Sequence, residues 1–249
     1  MNLIIGRKPV LEAISSGEEI EQVYILYGQK GGIIDSIRIA GKKKGIKCNE
    51  IPISKFKSYT AHTNAQGVIA IKSEQKFYPL DEIINASKKS AFPLILILDS
   101  IQDTHNLGAI IRSAECCGVD GIIVTRHNSA PVNSTVVKTS AGATEHVKIC
   151  PVNNLSNSLK ELKNSGFWIV GSYLENNVDE IPTVKSYDEI DYKLPLALVI
   201  GNEEKGIRRL TAESCDFLVQ IPMKGRIQSL NVSVAAGILL FEILRQRRS

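Results

Sequence analysis

The sequence lacks the residue patterns that would place it in several protein classes. Its 249 residues include five cysteines, four histidines and one tryptophan, and no two cysteines form a C-x-x-C pair. An odd number of scattered thiols predicts reduced, mostly buried cysteines in a cytoplasmic protein, not a disulfide framework. The histidines have no metal-ligand spacing, so we expect no bound metal.

Long apolar runs and two common nucleotide-binding motifs are also missing. No run approaches the ~18 apolar residues of a membrane span, and the N-terminus has no secretory signal pattern, so we expect no membrane partner. The chain contains no G-x-G-x-x-G motif. Gly201 and Gly206 have the spacing of a P-loop, but Ile207 stands where that loop needs lysine. Both nucleotide-binding interpretations are therefore rejected.

Charge is nearly balanced over the whole chain but unevenly placed. Residues 1–75 hold 11 of the 30 Lys and Arg residues against 7 of the 26 Asp and Glu residues, so the remainder holds 19 of each sign. The excess includes the run Lys42-Lys43-Lys44. Such a run is typical either of a solvated helix end or of a nucleic-acid-binding surface.

Apolar patterning predicts two domains and a linker. Residues 1–72 are predicted to form a small α/β domain, residues 73–92 a linker with one short helix, and residues 93–249 a larger domain. In the larger domain, uninterrupted apolar runs alternate with helical patterns, which is typical of a mostly parallel sheet covered by helices on both faces. The predicted strands of that sheet are 94–98, 121–124, 167–171, 196–200 and 217–221, and the predicted helices are 107–117, 155–165, 206–214 and 230–247.

The last predicted helix is apolar nearly all the way round, from Leu230 to Leu244. Such a helix must be buried on more than one side. A central core helix and a homodimer interface both satisfy that requirement, because small residues at 235–237 permit close approach.

Three segments combine a strand end, a polar or glycine-containing loop and a helix start. The first carries Asn106 and Arg112, with a core stripe that leaves Arg112 looking outward. The second carries Gly201 and Glu203. Each polar residue also has a purely structural interpretation: a helix cap for Asn106, a solvated helix residue for Arg112 and a favourable helix-terminal charge for Glu203.

The third segment, residues 221–237, begins where Pro222 stops a strand and enters a helix through Ser229, Asn231 and Ser233. Alone, it predicts only a capped strand-loop-helix. Ligands of parallel α/β sheets bind at the carboxyl ends of the strands. The three segments would therefore form one crevice if their strands are neighbours.

The same segments carry a family resemblance. Asn106-Leu-Gly-Ala-Ile-Ile-Arg112, Gly201-Asn-Glu-x-x-Gly206 and Ile221-Pro-Met-x-Gly-x-x-x-Ser-Leu-Asn-Val-Ser-Val-Ala-Ala236 resemble, in order, the three motifs of the SpoU (TrmH-type) RNA ribose 2′-O-methyltransferases. Gly6-Arg-Lys-Pro-Val-Leu-Glu-Ala13 and Gln66-Gly-Val-Ile-Ala70 resemble the family's N-terminal substrate-binding domain, which is similar to ribosomal protein L30e. The two-domain layout is most similar to the RlmB group, which modifies guanosine in bacterial large-subunit rRNA.

The resemblance implies a fold, a cofactor and a set of site residues. The fold would carry a C-terminal trefoil knot, and the enzyme would be a homodimer through its last helix. S-adenosylmethionine would be held by Gly201, Ile221, Met223, Leu230 and Thr139. The catalytic set would be Asn106, Arg112, Glu203, Ser229 and Asn231.

The implied activity is 2′-O-methylation of RNA, with large-subunit rRNA favoured over tRNA. An arginine has an ordinary pKa above ~12, so we expect Arg112 to hold the adjacent phosphate and to lower the pKa of the ribose hydroxyl, leaving the general base open. Glu203 and Asn231 would orient Arg112 and the ribose. A tRNA 2′-O-methyltransferase and a non-catalytic RNA-binding or ribosome-assembly protein on the same fold are the alternatives.

Overall fold

A computed structural model describes residues 3–18, 20–60, 65–72, 75–174, 184–226 and 229–248. The chain divides into two compact units, Met1–Lys76 and Phe77–Ser249. Most of the segment predicted as a linker lies inside the second unit, where the buried side chains of Ile83 and Ile84 join its core.

The first unit is a four-stranded mixed sheet with helices. Its elements are β1 (Leu3–Ile5), α1 (Arg7–Ser16), β2 (Ile20–Leu26), α2 (Gly32–Lys43), β3 (Lys47–Ile51), α3 (Ile53–Tyr59) and β4 (Val68–Lys72). The strand order is β1-β4-β2-β3; β2 and β3 are parallel, and β4 runs antiparallel to both its neighbours. Helices α1 and α2 bury Val10, Ile14, Ile34 and Ile37 in one core, while Lys42 and Lys43 stay exposed at the end of α2.

The second unit alternates strands and helices. Its elements are α4 (Leu80–Ser87), β5 (Leu94–Leu98), α5 (Thr104–Cys116), β6 (Gly121–Thr125), α6 (Ser134–Thr139), β7 (Ile149–Val152), α7 (Leu155–Asn164), β8 (Trp168–Ser172), β9 (Val184–Ser186), β10 (Leu196–Ile200), α8 (Arg209–Glu213), β11 (Phe217–Gln220) and α9 (Val232–Arg248).

Seven strands form one sheet in the order β7-β6-β5-β10-β8-β11-β9. All six neighbouring pairs are parallel. Every residue of β5, β6 and β10 is buried, because helices cover both faces of these central strands. The predicted parallel sheet is confirmed, whereas the trefoil knot stays a prediction. The order also places β10 between β5 and β8, so the carboxyl ends of distant chain segments meet at one edge.

Several short elements were not anticipated from the sequence. Strands β1, β7 and β9 have only three or four residues, and helices α3 and α6 have seven and six. Helix α8 begins at Arg209 instead of 206. Helix α5 begins at Thr104, and its cap is Asp103, whose side chain accepts a hydrogen bond from the backbone N–H of Asn106 at 2.8 Å. The cap interpretation of Asn106 is therefore wrong.

Helix α9 buries one face and exposes the other within a single chain. Its buried residues are Val232, Ala236, Leu239, Leu240 and Ile243. Val234 and Phe241 remain 50% and 54% exposed. Burial on more than one side is thus not reached within one chain, and the homodimer stays a prediction. None of the helices among the described residues is long and apolar enough to cross a membrane.

The carboxyl end of α9 is fixed by Arg247. Its guanidinium donates hydrogen bonds to the carbonyl oxygens of Phe92 at 2.7 Å, Tyr192 at 2.9 Å and Leu194 at 2.9 Å. Burial lowers the pKa of Arg247 to about 10. The helix is therefore anchored at the segments that lead into β5 and β10.

Candidate active site

The carboxyl ends of four neighbouring strands form an edge with two different parts. One part lies beyond β8 and β11 and beside α9; we call it the apolar cavity after side chains such as Ile221, Met223 and Leu239, although polar groups also line it. The other, the polar cluster, consists of Asn106, Asn202, Glu203 and Asn231. Asn106 comes after β5, Asn202 and Glu203 come after β10, and Asn231 lies between β11 and α9. Both parts come from loops that the parallel sheet delivers to the same side.

The apolar cavity has a volume of about 230 Å³. It is lined by Ser172, Tyr173, Leu174, Val219, Gln220, Ile221, Pro222, Met223, Leu230, Ala235 and Leu239. Strand pairing ends at Gln220, and within the described chain no hydrogen bond engages the backbone N–H or C=O of Ile221 or Leu230. Both residues are only half-buried, so these groups can bind water or a ligand.

The polar cluster is a continuous chain of side-chain hydrogen bonds centred on Asn106. The Asn106 amide donates to Oε1 of Glu203 at 3.1 Å, and its carbonyl oxygen accepts from the amide of Asn231 at 3.0 Å. The other carboxylate oxygen of Glu203 accepts from the amide of Asn202 at 3.1 Å. Residues 97 and 125 positions apart in the chain are thereby held in one arrangement.

A tight loop after β10 presents Glu203. Asn202 and Gly206 exchange two backbone hydrogen bonds of 2.9 Å, and the Asn202 side-chain oxygen accepts from the backbone of Glu204 at 3.0 Å. A Cβ atom at Gly201 would lie 2.1 Å from the backbone of Gly206. Only glycine therefore permits this fold of the loop.

Two successive residues connect the cavity with the polar cluster. Leu230 lines the cavity, and Asn231 bonds to Asn106. The Asn231 side-chain oxygen also accepts from the backbone N–H of Ser233 at 2.9 Å, which caps the start of α9. The cap expected from the sequence is real, and the same side chain takes part in the polar cluster.

The five predicted cofactor residues do not all line the cavity. Ile221, Met223 and Leu230 line the cavity, but Thr139 and Gly201 do not. Thr139 packs against α5, where a Cβ atom at Gly108 would lie 2.7 Å from the Cβ of Thr139. Thr139 thus lies beside α5, which follows β5, and not among the described lining residues at β8 and β11.

Two predicted catalytic residues stand outside the hydrogen-bond chain. Arg112 is exposed on α5, opposite the buried stripe of Leu107, Ile110, Ile111 and Ala114 as predicted. Within the described residues it makes no hydrogen bond or salt bridge. Ser229 is exposed before α9. Glu203 and Asn231 bond to Asn106 and, among the described contacts, not to Arg112.

Neither Asn202 nor the residues at the carboxyl end of β8 were predicted as site residues from the sequence. Asn202 lies in the motif Gly201-Asn-Glu-x-x-Gly206, so the sequence already places its amide next to Glu203. Ser172, Tyr173 and Leu174 carry no motif, and only the strand order brings them to the cavity. No group of three or more His, Cys, Asp or Glu side chains that could hold a metal ion occurs in the part of the chain that the structure describes.

Comparisons with known proteins agree with this architecture. Residues 93–241 match the SpoU rRNA methylase family, and residues 3–78 match the RNA 2′-O ribose methyltransferase substrate-binding domain. A Staphylococcus aureus protein named as a TrmH-family tRNA/rRNA methyltransferase is 38% identical over 246 residues, covering 98% of this chain and 96% of that protein.

Two solved structures are similar over nearly the whole chain. An AdoMet-bound rRNA methyltransferase from Sinorhizobium meliloti is 29% identical, with a TM-score of 0.61, and the match covers 98% of this chain and 86% of that one. The SpoU methyltransferase AviRb from Streptomyces viridochromogenes shares the fold, with a TM-score of 0.62, 24% identity and coverage of 99% and 89%. The chain belongs to the SpoU family of RNA methyltransferases.

Proposed function

We propose that this protein transfers a methyl group from S-adenosylmethionine to a ribose 2′-hydroxyl in RNA, in a guanosine of large-subunit rRNA. One observation carries the proposal. Leu230 lines the apolar cavity while the next residue, Asn231, belongs to the polar cluster. A ligand in the cavity would therefore lie directly beside a set of fixed hydrogen-bonding side chains.

The cavity suits the methyl donor chemically. S-adenosylmethionine supplies an electrophilic methyl group on a sulfonium whose positive charge disappears during transfer. Apolar side chains such as Ile221, Met223 and Leu230 favour that loss of charge. The backbone groups of Ile221 and Leu230, which have no hydrogen bond within the described chain, can hold polar parts of the ligand. The volume of about 230 Å³ is smaller than the ~300–1,000 Å³ typical of ligand pockets, so part of the methyl donor would extend out of the cavity.

We assign Arg112 to binding of the RNA substrate. Its exposed guanidinium, without a partner in the described part of the chain, can hold the phosphate next to the target ribose. A nearby positive charge also lowers the pKa of the hydroxyl that must lose its proton. A guanidinium with an ordinary pKa above ~12 does not serve as the base, so the general base stays unassigned.

The remaining residues position these groups. Glu203 and Asn231, held through Asn106, would orient the ribose, and Ser229 would border it. Gly201 would support the site by allowing the tight loop that carries Glu203. Thr139, which packs against Gly108 on the helix that carries Arg112, would contact the methyl donor from that side. Orientation of this kind supplies much of the rate in group transfer.

The first unit is assigned to RNA recognition. We propose that residues 1–72 bind the substrate RNA and that residues 93–249 carry the reaction. The match of residues 3–78 to a substrate-binding domain and the exposed lysines Lys42 and Lys43 support this assignment. Replacing Lys42, Lys43 and Lys44 by alanine should weaken rRNA binding several-fold and reduce the slope of log K against log[salt] by up to ~0.7–0.9 per lost phosphate contact. An unchanged slope would remove the lysine run from the interface.

We also propose a homodimer through α9, because Val234 and Phe241 leave an apolar face uncovered in one chain. Sedimentation equilibrium of the wild type and of Phe241→Glu tests it. A monomeric wild type would contradict this part of the proposal.

The function is tested by incubating the protein with methyl-labelled S-adenosylmethionine and total RNA. Nuclease digestion then locates the label on a nucleoside. The proposal expects 2′-O-methylguanosine derived from large-subunit rRNA. Label confined to tRNA would favour a tRNA methyltransferase, label on a base would contradict ribose methylation, and no label would favour a non-catalytic RNA-binding protein.

A further inference from the structure

A buried carboxylate lies behind the polar cluster. Asp99 directly follows β5 and is only 1% exposed. Its carboxylate accepts hydrogen bonds from the Arg208 guanidinium at 2.8 and 3.1 Å, from the Thr211 hydroxyl at 3.0 Å and from the Ser100 hydroxyl at 3.1 Å. A charge this deeply buried is tolerated only when it is paired and hydrogen-bonded, so the arrangement is specific.

Asp99 holds both ends of the loop that carries Glu203. At the loop's entry, the Asp99 backbone N–H donates to the carbonyl of Ile200 at 2.8 Å. At the loop's exit, the Asp99 carboxylate binds Arg208. The intervening residues 201–207 are therefore spanned by one residue of a neighbouring strand end.

The loop is also attached from within to the residue next to Asp99. The Asn202 amide donates to the Ser100 carbonyl at 3.1 Å and to the Glu203 carboxylate at 3.1 Å. Ser100 adopts a left-handed backbone conformation with φ of 68°, which is uncommon for a residue other than glycine and persists only when its surroundings hold it. Its hydroxyl bond to Asp99 and its backbone bond to Thr125 at 3.2 Å provide that support.

We infer that Asp99 and Arg208 are positioning residues for methyl transfer, which fix the loop 201–207 so that Glu203 stays bonded to Asn106. The catalytic consequence rests on the proposed function. The pair contacts none of the residues that line the apolar cavity among its described hydrogen bonds. Its loss should therefore change the orientation of Glu203 without changing the affinity for the methyl donor.

The chain offers a matched pair of arginines for the test. Arg208 bonds to buried Asp99, whereas the next residue, Arg209, pairs with exposed Glu213 at 2.8 Å on the same helix. Both Arg208→Ala and Arg209→Ala remove one positive charge at nearly the same place. Only the first should lower kcat, by about 10–100-fold, because a displacement of about 1 Å in a positioned group can cost that much.

Two measurements separate positioning from other roles. The Michaelis constants for rRNA and for S-adenosylmethionine should stay within about twofold of the wild type in Arg208→Ala, since a positioning role requires no contact between the pair and either ligand. Hydrogen exchange of the peptide containing 201–207 should be faster in Arg208→Ala and unchanged in Arg209→Ala, because exchange reports local opening. This exchange experiment requires no activity.

A gentler pair of variants covers the case in which Arg208→Ala does not fold. Thr211→Val removes the hydroxyl that bonds to Asp99 at nearly constant volume, and Thr211→Ser keeps it. The inference expects lower kcat and faster exchange of the loop in Thr211→Val, with recovery of both in Thr211→Ser. Valine and serine variants that behave alike would contradict it.

The remaining possible results would overturn either the inference or the proposed function. A raised Michaelis constant for rRNA with unchanged kcat would overturn the inference and make Arg208 an RNA contact. Unchanged kcat and exchange would overturn it outright. If the wild type methylates no RNA, the proposed function fails, while loop exchange still shows whether the Asp99–Arg208 pair fixes the loop.

Discussion

The two parts of the sheet edge, the apolar cavity and the polar cluster, differ in the chemical groups that they present. The apolar cavity beyond β8 and β11 presents apolar side chains and backbone groups that form no hydrogen bond among the described residues. The polar cluster beyond β5 and β10 offers fixed side chains that hydrogen-bond to one another. Under the proposed function, ligand binding and methyl transfer use separate parts of the edge, which Leu230 and Asn231 connect.

The largest expected effect comes from removing Arg112, the exposed cation on α5. Arg112→Ala should lower kcat for methyl transfer by about 100–1,000-fold, the usual cost of losing one electrostatic contact to a reacting group. The dissociation constant for S-adenosylmethionine, measured by calorimetry, should stay nearly unchanged. Glu115→Ala, an exposed change on the same helix, serves as the control. Equal activity of both variants would remove Arg112 from the site.

The converse experiment fills the cavity. Ala235→Trp places a large side chain in a space of about 230 Å³ and should weaken binding of S-adenosylmethionine by ~10–100-fold, because overpacking costs about 1–3 kcal/mol. At saturating cofactor, kcat should recover most of its wild-type value. Ala235→Ser is the conservative control. A tryptophan variant with wild-type affinity would mean that the ligand binds elsewhere.

A change at the far end of α9 should destabilise the unit that carries both parts of the edge. Arg247→Ala removes hydrogen bonds to four carbonyl groups and should lower the free energy of unfolding of the second unit by about 2–4 kcal/mol. Trp168, the single tryptophan, reports that unfolding by fluorescence. An Arg208→Lys variant should change this stability less, and an Arg247→Ala protein as stable as the wild type would contradict the anchoring role.

The smallest expected effect is a change with pH in the free energy of unfolding, caused by buried thiols in the core that supports both parts. Burial raises the pKa of the Cys150 thiol to about 11 and that of Cys215 to about 12, from an ordinary value of 9.0. Between pH 9 and 12 the unfolded chain loses these protons before the folded chain does, so the free energy of unfolding should fall as the pH rises. Arg247, with its lowered pKa, acts in the opposite direction above pH 10.

Urea unfolding followed by Trp168 fluorescence at pH 8 and at pH 10 measures this decline. Cys150→Ser should make the stability less dependent on pH in that interval. A steeper decline in the variant would show that other groups control the alkaline range.

Strands with uninterrupted apolar runs were predictable almost to the residue. The runs at 94–98 and 196–200 coincide with β5 and β10, because strands buried on both faces need apolar residues throughout. Short edge strands such as β9 carry no such signal. The position of β10 between β5 and β8 could not be predicted either, since strand order depends on long-range pairing and not on local pattern.

The candidate site was predictable in its residues more than in its contacts. Asn106 and Glu203 could be singled out from strand-end position and motif, but the hydrogen bond between them spans 97 residues and follows only from the sheet order. Asp103 took the cap role expected of Asn106, which left the Asn106 side chain available for the polar cluster. Thr139 was expected at the cofactor from the family resemblance; its packing against Gly108 on α5 could not be predicted from local sequence.

A crystal structure of the protein with S-adenosylmethionine tests the central claim most directly. The account predicts that the ligand lies in the cavity against Ile221 and Leu230, with its reactive methyl group directed towards Asn231 and Arg112. A ligand bound outside the cavity, or one whose methyl group points away from the polar cluster, would contradict the division of the edge into a binding part and a chemical part.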